Sequence, residues 1–367
     1  MSQDLQQDAV YRNVATALAD LDYRQALTAT DFPRGLWQRL AEHGLMAFSA
    51  GADPFPESQP GPNPGAPPRP PDWQALAIAG YALTRLTRSP GLATAWLSQQ
   101  LVLHFLTRAH YSPAALACAD ALRSGQSLCA IAISEPGVGA HPKHLSTTAT
   151  AQGDDFLING RKTFITHGPY ADWFMVLAIT RYEGERKHYS TLLLPRDTPG
   201  LSLTPQPDIV GLQPIGHAAM NLTNCRVPQS SLLGEPGDGF AAIAYPLRSL
   251  EDGLMLCPLA GAVQTQIELL RESQTSWDAH ATGTTICLAD CAVKLGIMAA
   301  DILNRQGPSA DLTTLIIGAR TLITRTQEIV SEAWRGCPQA ITLGRDIQLL
   351  LSIGGKATAS RVSALTR

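Results

Sequence analysis

The hydrophobic period of this chain changes twice, and that change restricts its fold more than any other feature. From Trp73 through Arg123 apolar residues recur at helical spacing, punctuated by Ser89-Pro-Gly91 and Ser112-Pro113. Near residue 128 the spacing drops to two. Leu128–Ser134, Asp155–Asn159, Trp173–Thr180, Ser190–Leu194, Leu201–Thr204 and Ala219–Val227 then read as short strands. After Gly237-Asp-Gly-Phe240 helical patterning returns, with breaks near Ser276–Gly283, Gln306-Gly-Pro308 and Arg335–Gly344. Blocks in the order helical, β, helical imply an α+β fold with segregated parts, not a βαβ sheet. Three units are expected: a helical domain over 1–127, a β domain over 128–234, and a helical bundle over 235–367.

Local signals refine this outline. Asp31-Phe-Pro through Gly44 predicts a helix with an N-cap-like aspartate, an early proline and a terminating glycine. Proline and glycine dominate Ser49–Pro71, so residues 51–71 are expected as a loop or extended linker. Asn159-Gly160 predicts a tight hairpin. No Gly-x-Gly-x-x-Gly follows a strand, which speaks against a Rossmann site.

Composition narrows the function classes. The net charge of -3 arises from 28 basic and 31 acidic residues, which argues against a nucleic-acid binder. Met1–Asn13 carries Asp4 and Asp8 and lacks an apolar core, so no secretory leader and a cytoplasmic location are expected. The longest apolar stretches, such as Leu92–Leu106, are interrupted by polar residues, and no membrane insertion is expected. Seven irregularly spaced cysteines suggest reduced, mostly buried thiols. Cys287/Cys291 and His141/His144 lack the further ligands a metal would need, so none is expected.

The most informative run is Leu128-Cys-Ala-Ile-Ala-Ile-Ser134-Glu-Pro-Gly-Val-Gly-Ala140. Asn159-Gly-Arg-Lys-Thr-Phe164-Ile-Thr166-His-Gly168 follows it, and later come Val227-Pro228 to Gly234 and Gly237-Asp-Gly-Phe240. These four segments, in this order, resemble the signatures of the acyl-CoA dehydrogenase family. The resemblance implies a helical domain, a β-barrel or sandwich domain and a four-helix bundle around FAD. It also implies that Ile131, Ile133, Ser134, Ala140, Phe164 and Thr166 hold the cofactor. Such a ring needs an apolar floor and hydrogen-bond groups placed by rigid strands. Ile133 and Ser134 would serve its pyrimidine edge, Phe164 its face and Thr166 the N5 side.

The implied chemistry needs a carboxylate to remove a proton α to a thioester. The family's commoner position for it, in an Arg-Asp…Glu-Gly segment, is matched by Arg345-Asp346 through Gly354, where the glutamate has become glycine. Its second position, ten residues before a helix-packing glycine, is matched by Glu251 before Gly261. Isovaleryl- and long-chain-type members pair a base there with a small C-terminal residue. Glu251 is therefore the expected base, with a backbone N–H near Gly354 serving the thioester carbonyl. A Ser249 N-cap with acidic residues in a first helical turn would explain Glu251 without chemistry. Asp252 replaces the family's arginine, and Gly253 and Pro258 argue against a straight helix.

Segments that resemble the family's cofactor-contacting Arg-x-x-Phe-Gly and Gln-x-x-Gly-Gly fall at Glu272–His280 and Glu332–Gly336, and neither motif is intact. The resemblance implies an acyl thioester on coenzyme A or an acyl carrier protein, and an electron-transfer flavoprotein or other electron acceptor. It further implies a homotetramer or a hetero-oligomer with a related subunit. A flavin monooxygenase or oxidase on this fold, or a half-active subunit beside a sister chain, stays open.

Overall fold

The computed structural model describes residues 2–19, 21, 23, 27, 31–48, 70–107, 112–206, 209–273, 278–331 and 337–364. Residues 51–69 of the proline-rich segment, and 274–277 and 332–336 of the degenerate motifs, lie outside the described residues.

Helices α1 Ser2–Gln6, α2 Ala9–Ala19, α3 Arg34–Glu42, α4 Trp73–Thr87, α5 Pro90–Leu106 and α6 Pro113–Arg123 precede the sheet. The two Ser-Pro breaks are helix starts. Ser89 accepts from the Leu92 amide at 3.0 Å and Ser112 from the Ala115 amide at 3.4 Å, each with proline in the first turn. Asp31 does not cap α3; Pro33 holds that position with no side-chain cap.

The strands are β1 Cys129–Ala132, β2 Thr148–Gln152, β3 Asp155–Thr166, β4 Trp173–Glu183, β5 Arg186–Pro195, β6 Leu201–Pro205, β7 His217–Pro228 and β8 Leu232–Leu233. They form one mixed sheet ordered β6-β7-β3-β2-β4-β5-β8, with β1 parallel to β4. The expected hairpin at Asn159-Gly160 is absent, because β3 runs through it. The turn falls instead between β2 and β3, at Gly153 and Asp154. Gly160 is required for a different reason: a Cβ there would lie 2.7 Å from Thr147 Cα, so only glycine lets the two segments approach.

A π turn, Phe240–Ala244, leads into α7 Tyr245–Leu254. Then come α8 Leu256–Glu272, α9 Ala279–Gln306, α10 Ala310–Ser331, α11 Pro338–Ser352 and α12 Gly355–Ala364. Ser249 lies inside α7 rather than at its start, so Glu251 is not a first-turn acid. The expected break near Gly253 and Pro258 falls at Met255, between α7 and α8. Phe240–Glu272 is long and apolar enough by composition to cross a membrane, but 89% of its apolar window is buried within the protein. That is the pattern of a core helix.

The two helical blocks share one apolar core, which runs from Val14 and Trp37 through Leu83 and Trp96 to Val263, Ile323 and Ile347. Polar contacts stitch α4 to α8 inside it. Tyr81 donates to Gln264 at 2.6 Å, and Arg85 donates to Thr265 at 2.8 Å and to Glu268 at 2.5 Å. A second cluster, including Ile158, Phe174, Leu192 and Met220, fills the sheet.

Candidate active site

The site begins where β1 ends. Ile131 and Ile133 are half-buried and pack against the helical core, and Ser134 follows in the turn. The Ser134 carbonyl accepts from the Thr163 amide at 2.9 Å, so the end of β1 is tied to β3. Pairing of β3 with β7 jumps from Lys162–Met220 to Ile165–Ala218, leaving Thr163 and Phe164 in a bulge. Phe164 is held there at φ +54°, donates its amide to the Gln206 side-chain oxygen at 2.9 Å, and is 60% exposed. A bulky residue in left-handed backbone costs about 1–3 kcal/mol and persists where surrounding structure enforces it. An open aromatic on a strained bulge, tied through Thr163 to the strand end that carries Ile131, Ile133 and Ser134, fits a planar aromatic cofactor. The structure thus brings Ile133, Ser134 and Phe164 together, with Ile131 and Thr166 on the same two strands. Ala140 is exposed, one residue past the Glu135–Gly139 bridge.

Beneath this platform lies a buried ion pair. Lys162 Nζ reaches Glu135 Oε1 at 2.9 Å and the Ile133 carbonyl at 3.1 Å. Glu135 also accepts from the Ser146 amide at 2.8 Å, the Ser146 hydroxyl at 2.7 Å and the Thr147 amide at 3.0 Å. Burial works against the Glu135 charge, but Lys162 and these donors overcome it and hold the carboxyl at about 2. Burial lowers Lys162 to about 8, with the charge and hydrogen bond of Glu135 opposing the fall. We take the charged pair as the working state, since the carboxylate is the better satisfied of the two. Glu135 and Lys162 both sit in the segments that mark the family, yet their pairing was not read from the sequence. Acidic and basic residues at two strand ends were the available signal.

Next to Thr166, His167 is fully buried at φ +64°, its ring edge-on to Phe32. Its Nε2 lies 3.3 Å from the Ala95 carbonyl, which requires the proton on Nε2 and joins the sheet to α5. Burial, and secondarily His217, depresses its pKa to about 4. A histidine held below its unfolded value stabilises the fold fully above about 6.5, and that contribution is lost as pH falls toward 4. His217, also lowered by burial, acts in the same direction. The expected result is a urea midpoint that falls between about pH 6.5 and 4, with His167 accounting for up to about 3 kcal/mol. His167→Asn, which tolerates the backbone angle, should flatten that slope; an unchanged slope would exclude His167 as its source.

Glu251 lies on α7, reached from the platform through one packed cluster. Ile133 and, from the π turn, Phe240 and Ala244 all pack against the cluster of Leu145, Leu177, Ile179 and Tyr189, and the Tyr189 and Phe240 rings lie 5.8 Å apart, tilted at 45°. The Glu251 side chain is 41% open to water, yet burial raises its carboxyl to about 7, with Arg248 opposing and Asp252 reinforcing the rise. Gly354 stands in the turn between α11 and α12 at φ +72°, and a Cβ there would run into the Arg248 guanidinium. Arg248 Nη1 lies 3.8 Å from Glu251 Oε2, so one side chain connects the two expected positions. Asp346, in the segment that lacks the family's glutamate, accepts from the Leu212 amide at 2.8 Å and pins that loop to α11.

The family described as "Acyl-CoA dehydrogenase, middle domain" matches residues 130–225, which hold the whole strand-end platform. Probable acyl-CoA dehydrogenase YngJ of Bacillus subtilis (strain 168) is 31% identical over 225 residues, 59% of this chain and 54% of that protein. The mitochondrial short-chain specific acyl-CoA dehydrogenase of Homo sapiens is 34% identical over 169 residues, 46% of this chain and 41% of that protein. The chain thus spans about half the length of these curated relatives. The crystal structure of acyl-CoA dehydrogenase from Geobacillus kaustophilus superposes with a TM-score of 0.80 at 20% identity, covering 98% of each chain. Residues 130–225 of this chain are thus an acyl-CoA dehydrogenase middle domain, and the chain as a whole has the fold of these structures.

Proposed function

We propose that the protein is an FAD-dependent dehydrogenase that introduces an α,β double bond into an acyl thioester carried by coenzyme A or an acyl carrier protein. The observation that carries this reading is Glu251: a half-buried carboxyl raised to about 7, on the first helix after the sheet, with the Arg248 guanidinium between it and Gly354. Ile131, Ile133, Ser134, Ala140, Phe164 and Thr166 would hold the isoalloxazine ring. Bound flavin supplies the acceptor for the hydride that leaves the β carbon. Glu251 takes the α proton, for which a base poised near neutral pH is suited. Gly354 immediately precedes α12, whose first amides lack intrahelical partners and would bond the thioester carbonyl as enolate charge develops.

Electrons would pass to an electron-transfer flavoprotein or another acceptor. Half-buried Leu295 and Ile302, with exposed Met298, share one side of α9 that fits burial in a homo-oligomer or against a related subunit. A cytoplasmic location accords with the free thiols, five buried and two exposed.

FAD is expected to raise the melting temperature, since a ligand bound only by the native state stabilises it. Anaerobic incubation of the FAD-loaded protein with saturated acyl-CoA esters should bleach the flavin and yield the 2-enoyl ester. Failure of saturating FAD to shift melting, or flavin that stays oxidised with every ester, would reject the proposal.

A further inference from the structure

Asp252 follows Glu251 where the family pattern has arginine, and it is 3% exposed, a place where an unpaired carboxylate is strongly disfavoured. It is paired twice. Arg248, one turn earlier on α7, donates from Nε to Oδ2 at 3.0 Å and from Nη2 to Oδ1. Arg361 on α12 donates to Oδ2 at 2.8 Å. The atom left over, Arg248 Nη1, is the one that lies 3.8 Å from Glu251 Oε2. The same guanidinium fills the space above Gly354, where a side chain would collide with Nη2 and Cζ. Arg320 on α10 holds the adjoining turn by donating to the carbonyls of Leu351 and, at 3.1 Å, Ile353.

We infer that Arg248 is the positioning residue for Glu251: clamped by Asp252 and Arg361, its guanidinium sets the place and ionisation of that carboxylate and occupies the space where a base at residue 354 would stand. The inference deepens the proposed function and rests on Glu251 being the base. It also explains Asp252, whose charge is what anchors the arginine. Among the described residues the charged groups acting on Glu251 are Arg248 and Asp252 on α7, and that pair is in turn faced by Arg320 on α10 and Arg361 on α12. α9 meets α7 through Leu303 beside Gly253, and α5 brings the Thr94 hydroxyl to Met255 at the end of α7. Arg248 is thus the cation nearest the carboxylate, and it opposes the rise that burial causes. Without it the ionised base would appear only at higher pH. A guanidinium that served packing alone would lower stability and leave that titration where it is.

The test compares wild type, Arg248→Gln, Arg248→Lys and Glu251→Gln, all loaded with FAD. One readout is the infrared band of the protonated carboxyl, assigned by its loss in Glu251→Gln and followed against pH without substrate. The other is the pH profile of anaerobic flavin reduction by butyryl-CoA. Arg248→Gln should move both midpoints up by about 1 unit or more, as expected for loss of a nearby opposite charge. Its rate at high pH should stay within about tenfold of wild type, and Arg248→Lys should recover part of the shift. Unmoved midpoints in folded Arg248→Gln, with Glu251→Gln inactive, would overturn the inference alone. Wild-type reduction by Glu251→Gln would instead overturn the base assignment, and the infrared titration would still decide whether Arg248 governs the carboxyl. If Arg248→Gln does not fold, Gly354→Ala presses the guanidinium aside from the opposite face. It should raise the same midpoint, and an unmoved one would overturn the inference equally.

Discussion

Glu251→Gln should slow anaerobic reduction of bound flavin by an acyl-CoA at least ~100-fold, the low end for a lost general base. The substitution keeps size and hydrogen bonding but removes the proton acceptor. Flavin binding should survive it, because Ile133, Ser134 and Phe164 are tied to one another by β1 and β3 and not through α7. Gly354 has no side chain to replace the lost base, and the Arg248 guanidinium fills the space where one would stand. Rapid-mixing spectroscopy checks the expectation. A variant that binds FAD and reduces it at the wild-type rate would remove Glu251 from the chemistry.

The second large effect concerns stability. Lys162→Met should cost about 3–5 kcal/mol, since breaking a buried pair leaves its partner charged and unsatisfied in the interior. The lower end is expected here, because Ser146 and Thr147 still donate to Glu135. The added substitution Glu135→Gln should recover part of the loss, and a double-mutant cycle in urea measures that recovery. Held at about 2, Glu135 lies below its unfolded value near 4.5. Its contribution is therefore complete above about pH 4.5 and lost as pH falls toward 2. A loss below about 1 kcal/mol for Lys162→Met would mean that the pair is not buried as described.

The block order and most strands were legible because burial imposes a period of 3.6 or 2 on long stretches, and a period survives local exceptions. The errors came from single-residue signals. Asn159-Gly160 reads as a hairpin by its turn preference, but Gly160 serves close contact with Thr147 inside a continuous strand. Asp31 and Ser249 have capping chemistry, yet tertiary packing starts α3 after Pro33 and runs α7 through Ser249. Within the candidate site, residue types at Ile133, Ser134, Phe164 and Glu251 were readable by resemblance. The physical context that makes them useful was not: the bulge that opens Phe164, the pair beneath the platform, and the guanidinium between α7 and the α11–α12 turn all depend on chain segments distant in sequence. Arg248 offered one local hint, standing three residues before Glu251 and four before Asp252, the spacing of ion-pair partners on a helix.

The most direct test of Glu251 as the base is the pH dependence of anaerobic flavin reduction by an acyl-CoA, followed in wild type and Glu251→Gln. With the carboxyl at about 7, the ionised base is the major form only above that pH. The wild-type rate should therefore fall about tenfold per unit below pH 7 and level off above it, as expected for a single ionising base. Glu251→Gln should show a low rate with no such rise. A wild-type rate that is flat from about pH 5.5 to 8.5 would contradict the assignment, because a single carboxyl near 7 must titrate across that interval.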